Sequence, residues 1–358
     1  MIVNILFYSI LALNILCVLM KKKSKIVTLA SILIAIYISF ENTGSGDYGM
    51  YVYLYDGGIE YGEIGYSLLQ RLTYAMGLTF NELQGIICTI ALIIILYVFS
   101  KYSNNYQLFF ALFFISEFFI NVNVLRSYIA RAFLLLGFHF LMNGKKMKYV
   151  LLVMLAISFH VTSVLYLPLV FLVGRDYSSK KAKRVMGTLA LIILMLCVVV
   201  FVLGNKFTWL YNIMVIIMPS MQDKFDAYFT TSTRFGFMLY FMLHAGNLFL
   251  HSIGSKQMSQ DQSASSMSNK IYHFSGIVNL YTILFFPLIM MNTNFCRVLN
   301  NIFFLNVIYY AMFLDSYKKA TIDYYKTLIS MFAVTLCSTF PLVHASNQRQ
   351  AILDAFKE

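Results

Sequence analysis

Two arginines stand at the start of a strongly apolar stretch of this sequence. Arg126 and Arg131 lie in the run Asn-Val-Leu-Arg-Ser-Tyr-Ile-Ala-Arg-Ala-Phe-Leu-Leu-Leu, which begins at Asn123. A charged side chain at the centre of a bilayer costs about 2.5–3.5 kcal/mol on insertion scales, so such residues usually serve a function. Guanidinium groups bind phosphate and carboxylate through paired hydrogen bonds and stay charged when water is removed. The two residues therefore predict a site for an anionic ligand.

The spacing of the two arginines predicts that their side chains point in different directions and have different roles. Arg131 follows Arg126 by five residues, so on an ideal helix their side chains project about 140° apart. They are therefore not expected to bind the same phosphate group from one face of the helix. We predict Arg126 as the phosphate ligand, with snorkelling to lipid or pairing with Glu117 as the alternatives. Arg131 is expected either to contact the substrate or to neutralise Glu117.

Aromatic and acidic side chains are concentrated in two hydrophilic segments, residues 41–83 and 204–234. Aromatic rings can stack on the C–H faces of sugars, and carboxylates accept hydrogen bonds from sugar hydroxyls. The alternatives are an aromatic belt at the membrane interface and carboxylates that simply face solvent. The predicted sugar contacts are Tyr48, Tyr51, Tyr66, Asp223 and Tyr228.

The composition shows which elements must position these side chains. Hydrophobic residues make up 60% of the chain and charged residues 12%, and the mean hydropathy is +0.73. Such values exclude an ordinary soluble domain. Several apolar runs reach the roughly 20 residues that span a bilayer, where the backbone must be helical. We predict a single all-α polytopic membrane domain over residues 1–358. The net charge of +12 reflects cytoplasmic lysines rather than a nucleic-acid partner.

The apolar runs predict 10–12 transmembrane helical segments. The helices are expected near 2–20, 25–40, 84–100, 107–122, 125–142, 185–203, 235–253, 271–291, 297–313 and 325–343. Residues 148–174 are predicted to form a short helical hairpin, because a single helix would carry the lysines near 180 to the wrong side. His160 would lie near its turn, either as a functional residue or as a buried core histidine. A flexible cytoplasmic loop is expected at 254–270, which is rich in Ser, Gln and Met.

Basic residues set the orientation. Most lysines fall in loops that the predicted topology places inside, as the positive-inside rule requires. Arginine is distributed differently: Arg71, Arg126, Arg131, Arg234, Arg297 and Arg349 lie outside or enter the membrane from outside. Outer loops poor in lysine would explain part of this contrast. The remainder favours an outward-facing site for a phosphorylated ligand.

The order of several short motifs resembles that of a known family. The motifs are Gly46-Asp47-Tyr48 with Tyr51, Glu63-x-Gly65-Tyr66, Asn123-Val-Leu-Arg126 with Ala130, Phe159-His160-x-x-Ser163, and Arg297. Each is weak alone, but in this order they resemble the EpsG-type branch of the Wzy polysaccharide polymerases, which make exopolysaccharide, capsule and O-antigen. The resemblance runs from about residue 40 to about residue 310.

The resemblance implies glycosyl transfer on the outer face of the bacterial cytoplasmic membrane, without metal or other cofactor. A glycan held on undecaprenyl diphosphate would be moved to the non-reducing end of a new lipid-linked repeat unit. Such a reaction needs cations for the leaving diphosphate and a base or orienting group for the acceptor hydroxyl. Arg126 and Arg297 are the predicted clamps, Asp47 and Glu63 the predicted bases, and His160 would orient the diphosphate or relay a proton.

Two other functions would use the same kinds of residues. A ligase that moves finished glycans would share the arginines and the lipid diphosphate. A flippase or transporter for lipid-linked sugars would place charge along a path through the membrane and often shows repeat symmetry. The expected partners are lipid-linked oligosaccharide and membrane lipid, with a chain-length regulator and a flippase of the same pathway.

Overall fold

The computed structural model describes most of the chain, and that part is helical. It covers residues 2–43, 48–60, 62–172, 180–202, 208–217, 226, 236–260, 266–291 and 293–345. Within these ranges all regular secondary structure is α-helix or 3-10 helix, which is what a backbone surrounded by lipid requires. The predicted all-α membrane fold is therefore confirmed.

Eighteen α-helices follow one another within the described ranges. The first nine are α1 (Ile2–Leu19), α2 (Lys25–Glu41), α3 (Tyr48–Asp56), α4 (Ile64–Ala75), α5 (Phe80–Ser100), α6 (Tyr106–Ile115), α7 (Phe118–Asn123), α8 (Leu125–Met142) and α9 (Lys146–Phe159). The others are α10 (Leu169–Leu172), α11 (Lys180–Val202), α12 (Thr208–Ile217), α13 (Gly236–Gln260), α14 (Ser266–Thr282), α15 (Phe286–Met291), α16 (Arg297–Asn300), α17 (Phe303–Asp315) and α18 (Ile322–Ala345). Short 3-10 segments lie at Val161–Tyr166, Ile283–Phe285 and Thr293–Cys296.

Several helices of the described part can cross a membrane. Those long and apolar enough by length and composition are Ile2–Leu19, Phe80–Ser100, Leu125–Met142 and Lys270–Met290. Shorter apolar helices lie at Tyr106–Ile115, Val161–Phe171, Arg184–Val199 and Phe303–Asp315. Of the four long spans, α8 is the most enclosed, with 78% of its residues buried inside the protein. It packs chiefly against α5 and α9, so the arginine-bearing helix lies at the centre of the bundle.

Two predicted boundaries differ from the structure for identifiable reasons. The helix predicted near 107–122 is divided into α6 and α7, and the division falls at Ser116 and Glu117, where a buried carboxylate turns toward its arginine partner. The helix predicted to begin near 84 begins at Phe80, because Thr79 and Glu82 form a reciprocal capping box. Local polar contacts therefore determine where these helices begin and end, and hydrophobic periodicity alone does not predict those positions.

The segment predicted as a flexible loop, 254–270, is mostly helical. Helix α13 continues to Gln260 and α14 begins at Ser266. Gln and Met favour helix nearly as strongly as Ala, and Ser is tolerated there, so this composition does not oppose helix continuation. Residues 261–265 lie outside the described part of the chain.

The chain reverses direction at His160, as the predicted hairpin requires. Helix α9 ends at Phe159, and His160 is extended, with φ −155° and ψ 115°. The 3-10 segment that follows packs back along α9, and the Tyr149 hydroxyl donates a hydrogen bond to the carbonyl oxygen of Tyr166. His160 therefore lies at the turn itself.

One end of the bundle gathers loops that carry lysines. Lys21 donates a hydrogen bond to the carbonyl oxygen of Tyr317, and Lys23 Nζ lies 3.4 Å from Asp315 Oδ1. The Ser103 hydroxyl, in the loop after α5, donates to the same carboxylate at 2.8 Å. These contacts hold three lysine-bearing loops at a common face of the protein.

Helix α8 connects that face to the opposite one. Near its C-terminal end, His139 Nδ1 lies 2.8 Å from the hydroxyl of Tyr102, beside the lysine loops. Its other end carries Arg126. With 18 residues in the helix and 1.5 Å of rise per residue, the two ends are about 27 Å apart. Arg126 therefore lies at the face opposite the lysines.

Candidate active site

Side chains from four different parts of the chain meet at the face opposite the lysine loops. Arg126, in the first turn of α8, donates from Nη1 to Oε2 of Glu63, the residue that precedes α4. Its Nε donates to the hydroxyl of Tyr51, on α3, at 3.3 Å. The other carboxylate oxygen, Glu63 Oε1, lies 3.9 Å from His160 Nδ1. We call Tyr51, Glu63, Arg126 and His160 the outer cluster.

The outer cluster is enclosed but accessible to a ligand. The side chain of Arg126 is 11% exposed and that of Glu63 20%, whereas His160 is nearly buried. Charges in such a setting interact more strongly than in water, because solvent screens them less. A ligand that reaches the carboxylate and the guanidinium therefore meets strong, preorganised electrostatics.

Gly65 explains how Glu63 comes so close to the histidine. A Cβ atom at this position would collide with the Ser158 hydroxyl and lie 3.0 Å from the Ser158 carbonyl oxygen. It would also lie 3.1 Å from the ring of Phe159. Only glycine therefore lets the first turn of α4 rest on the end of α9. That contact places Glu63, two residues earlier, beside His160, two residues after Ser158.

A break between two helices sets the position of Arg126. Val124 separates α7 from α8 with φ −114° and ψ 63°, outside helical geometry. Because of this break, α8 begins at Leu125 and its second residue is the arginine. The start of a helix carries partial positive charge. Arg126 and the helix end therefore both favour an anionic group at this place.

Arg297 adds a second positive charge near the histidine. It is the first residue of α16, and the neighbouring Val298 carbonyl accepts a hydrogen bond from Tyr166 in the hairpin that follows His160. The charges of both Arg297 and Arg126 act on the His160 ring. Among the described carboxylates, none lies within ion-pair distance of Arg297. Arg297 is partly exposed, which gives an incoming anion access to it.

The charges around Glu63 keep it ionised. Burial works against its charged form, but the neighbouring His160 and Arg126 outweigh that effect and hold the pKa of Glu63 below its usual value. A carboxylate that stays charged can accept a hydrogen bond from a hydroxyl group of a ligand. Both nitrogens of the His160 ring are buried and have no hydrogen-bond partner among the described residues, so the ring can bind to a ligand.

Arg131 forms a buried ion pair with Glu117. Its Nη1 lies 2.7 Å from Glu117 Oε2 and 2.8 Å from Asn121 Oδ1. The side chains of Arg131 and Glu117 are 1% and 3% exposed. Neutralisation of Glu117, one of the two roles predicted for Arg131, is therefore present, and the enclosure disfavours direct substrate contact. The structure also separates Arg126 and Arg131, as helical spacing predicts.

Two polar residues close to Arg126 in the chain, Asn123 and Ser127, were not predicted as site residues. Asn123 and Ser127 are 1% and 0% exposed. Neither amide atom of Asn123 nor the hydroxyl of Ser127 has a hydrogen-bond partner in the described part of the chain. Leaving such groups unpaired costs about 1–3 kcal/mol each, so a ligand or water is expected to satisfy them. The sequence feature that could have indicated them is the presence of two short polar side chains close to an arginine within an apolar run.

Aromatic rings line one side of the outer cluster. The ring of Tyr51 stacks on Phe80, with centroids 5.8 Å apart and planes 10° apart, and lies 6.1 Å from the ring of Tyr66. Tyr48 contacts the same phenylalanine at 5.6 Å. Of the three tyrosines predicted from the first hydrophilic segment, Tyr48 and Tyr51 therefore contact Phe80 and Tyr66 contacts Tyr51. Tyr51 connects that group to Arg126.

The structure places most of the predicted site residues near one another. Those that meet at or beside the outer cluster are Tyr48, Tyr51, Glu63, Tyr66, Arg126, His160 and Arg297. Asp47, Asp223 and Tyr228 lie outside the described residues. Chemically, the arrangement offers two cations for a phosphate-bearing group, beside a carboxylate and an imidazole that can handle the proton of a hydroxyl. These catalytic and binding roles stay predictions.

A known protein family matches most of the chain. The profile of the EpsG family matches residues 26–353, a range that includes every residue of the outer cluster. No curated protein and no solved structure matches the chain.

Proposed function

This chain belongs to the EpsG family, and on that premise we propose that it joins oligosaccharide repeat units carried on undecaprenyl diphosphate. Family membership supports a multi-pass membrane protein that acts as a polysaccharide polymerase of the glycosyltransferase type. The proposal adds three points: the lipid-diphosphate donor, independence of metal ions, and a reaction on the outer face of the bacterial cytoplasmic membrane.

The observation that carries the proposal is the grouping of Glu63, Arg126, His160 and Arg297 at one face. In the proposed step, a hydroxyl oxygen of the acceptor unit attacks the anomeric carbon of the growing chain. The bond from that carbon to the diphosphate oxygen breaks, and the lipid diphosphate departs with the bonding electrons. The hydroxyl proton moves to Glu63, and His160, 3.9 Å away, carries it toward the departing diphosphate.

The two arginines act on the leaving group. Negative charge builds on the bridging oxygen as the glycosidic bond breaks, and Arg126 and Arg297 stabilise it from two different helices. Preorganised donors of this kind lower the barrier because they need no reorientation during the reaction. Guanidinium groups can supply this stabilisation by themselves, which is why we propose a reaction that needs no metal.

Glu63 has two roles in the proposed cycle. In the structure it pairs with Arg126, and this contact holds the guanidinium in place. When the diphosphate binds, Arg126 engages the phosphate oxygens and Glu63 is released to accept a hydrogen bond from the acceptor hydroxyl. The low pKa of this carboxylate keeps it in the proton-accepting form.

The arrangement of charge supports a site on the outer face. The lysine loops gather at one end of the bundle, which the positive-inside rule assigns to the cytoplasm. The outer cluster lies at the other end of α8, about 27 Å away. Lipid-linked units that have crossed the membrane present their diphosphate at this outer level.

The grouping of charge also separates the proposal from its rivals. A transporter is expected to place charged groups along a path between the two faces. Here Glu63, Arg126, His160 and Arg297 lie together, and the other buried charge on α8, Arg131, is neutralised by Glu117. A ligase would use the same two arginines to bind the lipid diphosphate, but it would transfer the glycan to a different acceptor.

Reconstitution tests the function directly. Purified protein in liposomes is given a synthetic undecaprenyl-diphosphate oligosaccharide, with EDTA present and no nucleotide. We expect a ladder of glycans that differ by one repeat unit, each still bearing a lipid diphosphate. Movement of the substrate between leaflets without any ladder would support the transporter instead, and transfer only to a different acceptor would support the ligase.

A further inference from the structure

A second cavity on the same side of the molecule has a different chemistry. It lies between α3, the end of α4 and the start of α5, and has a volume of about 710 Å³. We call it the aromatic cleft; the lining residues that matter here are Tyr48, Tyr55, Asp56, Tyr74, Phe80 and Asn81. The cleft is open to solvent, unlike the enclosed outer cluster.

The walls of the aromatic cleft are held in place by hydrogen bonds. The Tyr55 hydroxyl donates to the Leu78 carbonyl oxygen at 2.8 Å, which fixes a ring that is almost fully buried. The Tyr48 hydroxyl donates to Asn81 Oδ1 at 2.6 Å. Tyr74 packs against Tyr55, with ring centroids 5.8 Å apart. The aromatic surface is therefore built in advance of any ligand.

Two features of the cleft face outward and are available to a ligand. Tyr74 is 55% exposed although its ring packs against Tyr55. The carboxylate of Asp56 is exposed, and no described cation lies within ion-pair distance of it. An exposed ring costs solvation free energy that a stacked ligand would recover, and the carboxylate offers hydrogen-bond acceptors beside it.

These features select one class of ligand. Aromatic faces with a carboxylate and an amide suit a carbohydrate, whose C–H faces stack on rings and whose hydroxyls donate to Asp56. The negative charge of Asp56, with no cation beside it, disfavours a diphosphate or an acidic lipid headgroup. The cleft therefore differs from the outer cluster, where Arg126 and Arg297 favour phosphate.

The cleft and the outer cluster are physically connected. Phe80 lines the cleft and stacks on Tyr51, whose hydroxyl accepts a hydrogen bond from Arg126. We propose that the aromatic cleft is a second glycan-binding site that holds uncharged sugars of the growing chain while its lipid end reacts at Arg126. This inference rests on the proposed polymerase function for its biological role. Retention of the chain between additions would set the length of the polymer.

Binding tests the cleft without requiring catalysis. Detergent-purified full-length protein is incubated with an array of defined, uncharged bacterial oligosaccharides. We expect the wild type to bind members of the array, and Tyr74→Ala and Asp56→Asn to bind them about tenfold more weakly. Tyr53→Ala is the matched control, because Tyr53 lies on the same helix, is 69% exposed and does not line the cleft. It should bind like the wild type.

Chain length gives the second readout. In liposomes with lipid-linked repeat units, Tyr74→Ala and Asp56→Asn should still join units but should release products several-fold shorter than those of the wild type and of Tyr53→Ala. Failure of the wild type to bind any oligosaccharide, or wild-type binding and product length in both cleft variants, would overturn the inference. Failure of the wild type to join units would instead contradict the polymerase function, and the array result would stand separately.

Discussion

The carboxylate of Glu63 accepts a hydrogen bond from the guanidinium of Arg126, although 63 residues separate them in the chain. This contact joins the loop that precedes α4 to the central helix α8. It also places the carboxylate between a permanent cation and the His160 ring.

Tyr51→Phe should weaken activity only slightly. The substitution removes the hydroxyl that accepts from Arg126 Nε and keeps the ring that stacks on Phe80. The donor is charged, but the bond is long at 3.3 Å, so we expect it to contribute about 0.5–1.5 kcal/mol and the rate of coupling to fall about 2- to 10-fold. Initial rates with lipid-linked repeat units measure the change. A complete loss would mean that the hydroxyl itself takes part in the reaction.

Gly65→Ala should reduce activity strongly although residue 65 contacts no substrate in this account. The added methyl group would push α4 away from Ser158 and Phe159 and move Glu63 away from His160. A displacement of 1 Å at reacting groups can reduce a rate about 100-fold. The measurement is the initial coupling rate of correctly inserted protein.

Two further variants control that prediction. Gly49→Ala introduces a methyl group where nothing lies within 4 Å, and it should couple like the wild type. Ser158→Gly in the Gly65→Ala background removes the hydroxyl that the methyl group would strike, so part of the activity should return. No recovery in the double variant would show that the Ser158 hydroxyl is not the obstacle, which would leave the Ser158 carbonyl oxygen and the Phe159 ring.

The stability of the protein should depend on pH through Glu63. Its pKa is lowered in the folded protein, so the charged carboxylate stabilises the fold above the unfolded pKa of about 4.3. That contribution should disappear as the pH falls through the lower, folded pKa. Thermal unfolding of wild type and Glu63→Gln from pH 7 to pH 3 should show a difference that is constant near neutrality and vanishes only below about pH 4.3.

The exposed pair of Glu60 and Arg71 provides the comparison for that experiment. Glu60 also has a lowered pKa through its bond to Arg71, but both side chains are largely in solvent. Exposed ion pairs contribute little, so Glu60→Gln should change thermal stability much less than Glu63→Gln. A wild-type advantage at Glu63 that was already lost at pH 6 would contradict the lowered pKa.

Substitutions at the Arg131–Glu117 pair separate a structural role from a catalytic one. Arg131→Met leaves Glu117 buried without its cation, which should destabilise the protein by about 3–5 kcal/mol. Arg131→Met combined with Glu117→Leu removes both charges and should recover much of that loss. Thermal unfolding in detergent measures both effects. If the double variant is stable and couples repeat units, the pair is structural; if it is stable but inactive, the pair takes part in the reaction.

Sequence alone could predict the class of fold and the turn at His160. The class follows from hydrophobic content, and the turn follows because lysines on both sides of 148–174 require the chain to return to the same face. The resemblance to the EpsG family likewise drew attention to Glu63, Arg126, His160 and Arg297. These features depend on composition, charge and local order, which a single sequence carries.

The contacts between those residues were beyond sequence reasoning. Pairing of Glu63 with Arg126 depends on how close α4 comes to α9, and that distance is set by the absence of a side chain at Gly65. The break before Glu117 likewise reflects a buried partner, Arg131, on another helix. Hydrophobic periodicity reports which residues are apolar, but it does not report which helices touch.

The central claim is that Arg126 stabilises the departing lipid diphosphate. The most direct measurement is the rate at which liposomes containing wild type or Arg126→Ala release undecaprenyl diphosphate from a lipid-linked repeat unit, with EDTA present and product length followed on the same samples. We expect one lipid diphosphate for each new glycosidic bond in the wild type. We expect a rate about 100- to 1,000-fold lower in the correctly folded variant. Release and chain growth at the wild-type rate in Arg126→Ala would contradict the account.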